Sequence, residues 1–174
     1  VQHNSHGIDI WRGNAAIQVQ PPETEDGAPL RRAPRPCAML QGVKVTSQSG
    51  RGIVNIDGGK IVLRGCAVHD CAATGIYVGG QGSQAEVERT DVIHNGVGSR
   101  SSHGIAPGHS GVYLEQGFAS IRECNISFNT DTGISSVFQS FLTLEDSDLA
   151  LNGTFQLEMP DPGTVARRRS IVRN

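Results

Sequence analysis

"AEVERTDVIHN" runs from Ala85 to Asn95 and "ASIRECNISFN" from Ala119 to Asn129, and the two can be laid on each other position by position. In each, small or aliphatic residues alternate with polar ones, a second apolar residue follows, and Asn closes the stretch three positions later. Leu142–Asn152 repeats the order. With that Asn as anchor, the matching positions are Asn4, Gln48, Cys71, Asn95, Asn129, Asn152 and Asn174, with gaps of 44, 23, 24, 34, 23 and 22 residues. A repeat of 22–24 residues marks a solenoid. The two long gaps then hold insertions, at about 20–36 ("QPPETEDGAPLRRAPRP") and about 97–110.

The columns around the anchor define the strands. Three before it stand Val45, Val68, Val92, Ile126, Leu149 and Ile171; eight before it, Leu40, Leu63, Val87, Ile121, Leu144 and Ala166; ten before it, Ala38, Ile61, Ala85, Ala119, Leu142 and Thr164. Positions ten and eight alternate with polar neighbours at the two-residue period of a strand. After the anchor comes Gly with Ile or Val, as in Gly52-Ile53, Gly75-Ile76, Gly111-Val112 and Gly133-Ile134. Each repeat therefore holds about three short strands. The expected fold is all-β, a right-handed parallel β-helix of about six rungs, in one domain over 1–174. Seven before the anchor, Gln41, Arg64, Glu88, Arg122, Glu145 and Arg167 alternate in sign, as stacked parallel strands require. The anchor Asn sits at a turn, where its amide bonds backbone and the Asn one rung away.

Composition narrows the function classes. A net charge of −2 gives no basic footprint for nucleic acid, and no apolar run reaches the roughly 20 residues that span a bilayer. Four cysteines form no CxxC pair. Cys66 and Cys124 share a column with Thr90 between them, about 9.6 Å apart at two rung spacings, too far for a disulfide. Buried free thiols, one of them Cys71 in the Asn column, point to a reducing compartment.

Units such as "AEVERTDVIHN" linked to "GIYV" or "GVYL" resemble the right-handed parallel β-helix repeats of the pectate-lyase-like superfamily. Their texture is similar to the repeat regions of F-box substrate receptors and of periplasmic copper-processing proteins. The resemblance implies the fold; the same coil serves lyases, hydrolases, epimerases, tailspikes and non-catalytic modules. The start at "VQHN" and the finish at "SIVRN" share one phase, so the expectation is a piece of a longer solenoid, its ends covered by further rungs or partner subunits.

The catalytic signals are thin. "NTD" at Asn129–Asp131 matches one short motif of polygalacturonase-type hydrolases, but its companion motifs are missing and Asn129 is already a ladder residue. No catalytic residue, metal ligand set or cofactor is assigned, and the six histidines scatter in phase. One outward column, Asp9, Val54, Tyr77, Tyr113 and Ser135, stacks two tyrosines with Glu115 nearby. It is a candidate surface for polysaccharide or peptide. The first insertion carries Arg31, Arg32 and Arg35 behind an acidic stretch, and Arg169 interrupts the column of Val43, Cys66, Thr90, Cys124 and Ser147, so that either this rung is distorted or Arg169 meets a partner's carboxylate. The reading is a non-catalytic scaffold or protein-interaction module contacting other subunits through loops and ends, with a carbohydrate-binding or carbohydrate-active domain as the alternative.

Overall fold

A computed structural model describes residues 15–19, 37–98, 109–159 and 165–173. Among these residues the strands cycle through three parallel sheets, each of six strands. The first stacks Ala15–Val19, Arg51–Ile56, Ile76–Gly79, Val112–Glu115, Ile134–Val137 and Leu157–Glu158. The second stacks Cys37–Gln41, Lys60–Arg64, Gln84–Glu88, Phe118–Arg122, Phe141–Glu145 and Val165–Arg168, and the third Lys44–Val45, Ala67–His69, Asp91–Ile93, Asn125–Ser127, Asp148–Ala150 and Ile171–Arg173. One strand from each sheet makes a rung, counted here one to six from the N-terminal side. Because every strand pairs with its equivalent one repeat away, each position meets its own kind above and below, which is why the sequence keeps one chemistry per column.

The interior is aliphatic. Ile53, Ile76, Val112 and Ile134 line the first sheet, Leu63, Val87, Ile121 and Leu144 the second, and Val45, Val68, Val92, Ile126 and Leu149 the third, all buried. The bore between three close sheets takes side chains of this size, and no aromatic ring joins the described core.

At the corner between the third and first sheets the predicted ladder is present. The Asn95 carboxamide oxygen accepts from Cys71 N (3.2 Å), that of Asn129 from Asn95 N and Nδ2 (3.1 and 3.0 Å), and that of Asn152 from Asn129 N and Nδ2 (3.1 and 2.9 Å). Each Nδ2 also donates to a strand carbonyl of the preceding rung: Val68, Val92 or Ile126. Gln156, absent from the predicted columns, closes the top by accepting from Asn152 Nδ2 at 2.7 Å. The bottom differs from expectation: Gln48 is exposed, and Ser47 is the buried polar residue there.

The last rung lies one residue later than the anchor Asn174 implies. Leu149 pairs with Val172, not Ile171; Leu142 with Val165, not Thr164; and Leu144 and Glu145 with Arg167 and Arg168. The hydroxyl column explains why: Thr90 Oγ1, Ser147 Oγ and Ser170 Oγ each accept from the backbone N–H of the rung below (3.3, 3.1 and 3.3 Å), so Ser170 holds the place expected for Arg169. Arg169 instead stands above Asp146 and binds it through Nε and a terminal nitrogen, both at 2.7 Å. It serves the chain itself. Of the alternating charges, Glu88 pairs with both Arg64 (3.6 Å) and Arg122 (2.6 Å).

Candidate binding surface

The outward column of the first sheet places Val54, Tyr77, Tyr113 and Ser135 on successive rungs, as expected. Below Val54 the register position is Gln18, which corrects the placing of Asp9; Asp9 itself lies outside the described residues. Arg31, Arg32 and Arg35 do too, with the whole 20–36 segment and most of 97–110.

Tyr77 and Tyr113 stack with ring centroids 5.8 Å apart and planes 6° from parallel. The Tyr77 ring lies along its strand over Gly79, where a Cβ would come within 2.5 Å of a ring carbon. The Arg51 guanidinium sits 4.4 Å from the Tyr77 centroid, and rung order puts it opposite Tyr113, so both faces of Tyr77 are covered. Tyr77 Oη donates to Glu115 at 2.9 Å. Burial, the Glu115 bond and its charge push the Tyr77 hydroxyl up to about 12 against the pull of Arg51. Burial, then Glu115 and Glu158, raise Tyr113. Both phenols stay protonated at neutral pH, as donors rather than bases.

Among the described residues no three His, Cys, Asp or Glu side chains are grouped to hold a metal ion, and Asn129 of the "NTD" string is bound into the ladder. His69 bonds its neighbour Asp70 at 2.7 Å, and the His94 ring leans on Phe128 at 5.3 Å. No helix among the described residues is long and apolar enough to cross a membrane.

All four thiols are free, with Cys37 exposed and Cys66, Cys71 and Cys124 buried. Burial pushes Cys71 up to about 12 and Cys124 up to about 11 from an ordinary 9.0. A thiol reagent at pH 8 is expected to label Cys37 at once and the other three only at the rate the rungs open. Because the folded state holds the Cys71 and Cys124 protons more tightly than the unfolded state, their contribution is full below pH 9. It is lost as pH rises towards 11–12, and an alkaline melting series checks it.

The feature that sequence reasoning missed is aromatic. The chain has five phenylalanines, and every one is exposed: Phe118, Phe128, Phe138, Phe141 and Phe155. All fall on rungs four and five or the turn that follows. Phe118, Phe138 and Phe141 crowd the corner between the first and second sheets; Phe128, Leu151 and Phe155 crowd the corner between the third and first. The signal lay in the phase of these residues, since none falls on an inward column. Three of the group also occupy backbone that disfavours them: Phe128, Phe138 and Leu151 have φ of +57°, +49° and +56° and are 48%, 64% and 60% exposed.

No curated protein and no solved structure matches the chain. The family described as right handed beta helix region matches residues 3–158, and with the stacked parallel sheets this shows that the chain belongs to the right-handed β-helix family.

Proposed function

We propose that this β-helix is a non-catalytic protein-interaction module whose partner sits across the first sheet at rungs four and five. The carrying observation is the pair of conflicts at Phe128, Phe138 and Leu151. A bulky side chain in left-handed backbone costs on the order of 1 kcal/mol, and an exposed one recovers little by burial. Folding alone therefore gives no reason for three such residues, whereas binding does, because aromatic side chains dominate interface cores. The two corners flank the first sheet on either side, so one partner surface can meet both. The insertion at 97–110 and the loop at 20–36, with Arg31, Arg32 and Arg35, offer further regions for protein contacts.

The test replaces Phe128, Phe138 and Leu151 together by Asn, which tolerates left-handed backbone. Cross-linking mass spectrometry on the native source material is expected to lose partner links around rungs four and five, while the melting temperature holds or rises. Unchanged cross-links, or a melting temperature lower by several degrees, would overturn the proposal. Polysaccharide binding at Tyr77, Tyr113 and Glu115 is the second reading. The stacked rings with an adjacent carboxylate favour it, and the covered faces of Tyr77 weigh against it.

A further inference from the structure

An open groove of about 730 Å³ crosses rungs three to five at the corner between the first and second sheets. Gln81, Gln84, Gln116, Phe118, Gln139 and Phe141 supply its side chains, and no ionisable residue lines it. We propose that this groove takes an uncharged, proline-rich segment of a partner protein in the polyproline II conformation. The inference rests on the interaction reading above and names the chemistry of one part of that surface.

Three observations carry it. First, the corner offers no free backbone edge: Phe118 N donates to Ser83 O (2.9 Å), Phe141 N to Gly117 O (2.9 Å) and Gln116 N to Phe138 O (3.2 Å). A peptide cannot add here as a strand, so it must be read by side chains, as polyproline II ligands are. Second, a charged segment would give up hydration and meet no opposite charge, which selects a neutral occupant. Third, the spacings agree. One turn of polyproline II is three residues at 3.1 Å, about 9.3 Å, and two rungs rise about 9.6 Å. Every third residue of a chain lying along the solenoid axis thus meets equivalent wall positions two rungs apart. Within the groove those positions are Gln84 and Phe141, each a register partner of Phe118 on the rung between, so Phe141 offers an apolar contact to one pyrrolidine ring and Phe118 to the residue ahead of it. The glutamine amides donate to the carbonyls that polyproline II leaves unpaired.

The experiment uses the full chain, ¹⁵N-labelled, titrated with an acetylated and amidated decapeptide of proline carrying two valines. A Val/Thr peptide of equal length and a neutral glucose hexasaccharide form the other arms. The expected result is saturable shifts of glutamine side-chain amide signals with the proline peptide alone, and an affinity about tenfold lower in Phe118→Ala and in Phe141→Ala. Both side chains are exposed, and a circular-dichroism melt verifies that the variants fold. Absence of saturable shifts at millimolar peptide, binding untouched by both substitutions, or binding of the hexasaccharide instead would overturn the inference. If native cross-links depend on Phe128, Phe138 and Leu151 while the proline peptide fails, this inference falls and the interaction reading stands. Peptide binding without those cross-links reverses the two.

Discussion

Asn129→Ala is expected to lower folding stability by about 4 kcal/mol, with a melting temperature lower by about 12 °C for a chain of this size. The carboxamide of Asn129 accepts from Asn95 N and Nδ2 and donates to Val92 O and Asn152 Oδ1, all in buried surroundings. Two of these partners keep another bond when it is removed: Asn95 Nδ2 still meets Val68 O, and Asn152 Oδ1 still accepts from the Asn129 backbone. Asn95 N loses its bond and stays enclosed, at about 1–3 kcal/mol, Val92 O keeps only its place in the sheet ladder, and the cavity adds to this. Gln41→Ala is the control, because Gln41 is an exposed strand residue and should shift stability by no more than about 0.5 kcal/mol. Thermal and urea melts of the two variants decide it. A loss below about 1 kcal/mol at Asn129 would mean that the ladder accompanies the fold without supporting it.

Gly111→Ala is expected to cost about 3 kcal/mol for a complementary reason. A Cβ there would stand 2.5 Å from Asn129 Nδ2 and 2.9 Å from the Gly133 carbonyl oxygen. Neither neighbour can step aside, since the amide is held on both sides and that carbonyl accepts from Val112 N at 2.9 Å. The same closeness recurs between Gly75 and Asn95 and between Gly133 and Asn152, so the glycine column exists because the ladder does. A double-mutant cycle separates the two contacts. Trimming Asn129 frees the space its amide fills, so Gly111→Ala should cost less in the Asn129→Ala background, by about 1 kcal/mol or more, with the backbone clash remaining. Strict additivity would show that the glycine answers only to the backbone.

These columns were readable in the sequence because an in-register parallel stack presents one environment per position. Val45, Val68, Val92, Ile126 and Leu149 announce themselves once the period is known. The misreadings fall where that logic lost its anchor. Asn174 matches the anchor by residue type alone, whereas the hydroxyl column of Thr90, Ser147 and Ser170, which bonds the rung below, sets the last rung. Asp9 was aligned across an unanchored stretch that hid the strand carrying Gln18. The tyrosine stack was legible from register alone, whereas Arg51 beneath it opens its own strand at a position outside the columns read from the sequence. The phenylalanines went unread because an apolar residue was sought only where it could be buried.

The ladder also has a direction. In Asn95, Asn129 and Asn152 alike the carbonyl end faces the preceding rung and the N–H end the following one, so the amide dipoles line up head to tail along the solenoid axis. Each amide polarises the next, in the way hydrogen bonds in a chain strengthen one another. A break in the middle therefore weakens both halves, and a break at an end weakens one. The positive end points towards rung six, where the carbonyl of Gln156 terminates it. A column built of identical rungs is thereby given an electrical polarity, and any rung spliced into it must keep that sense: acceptor below, donor above.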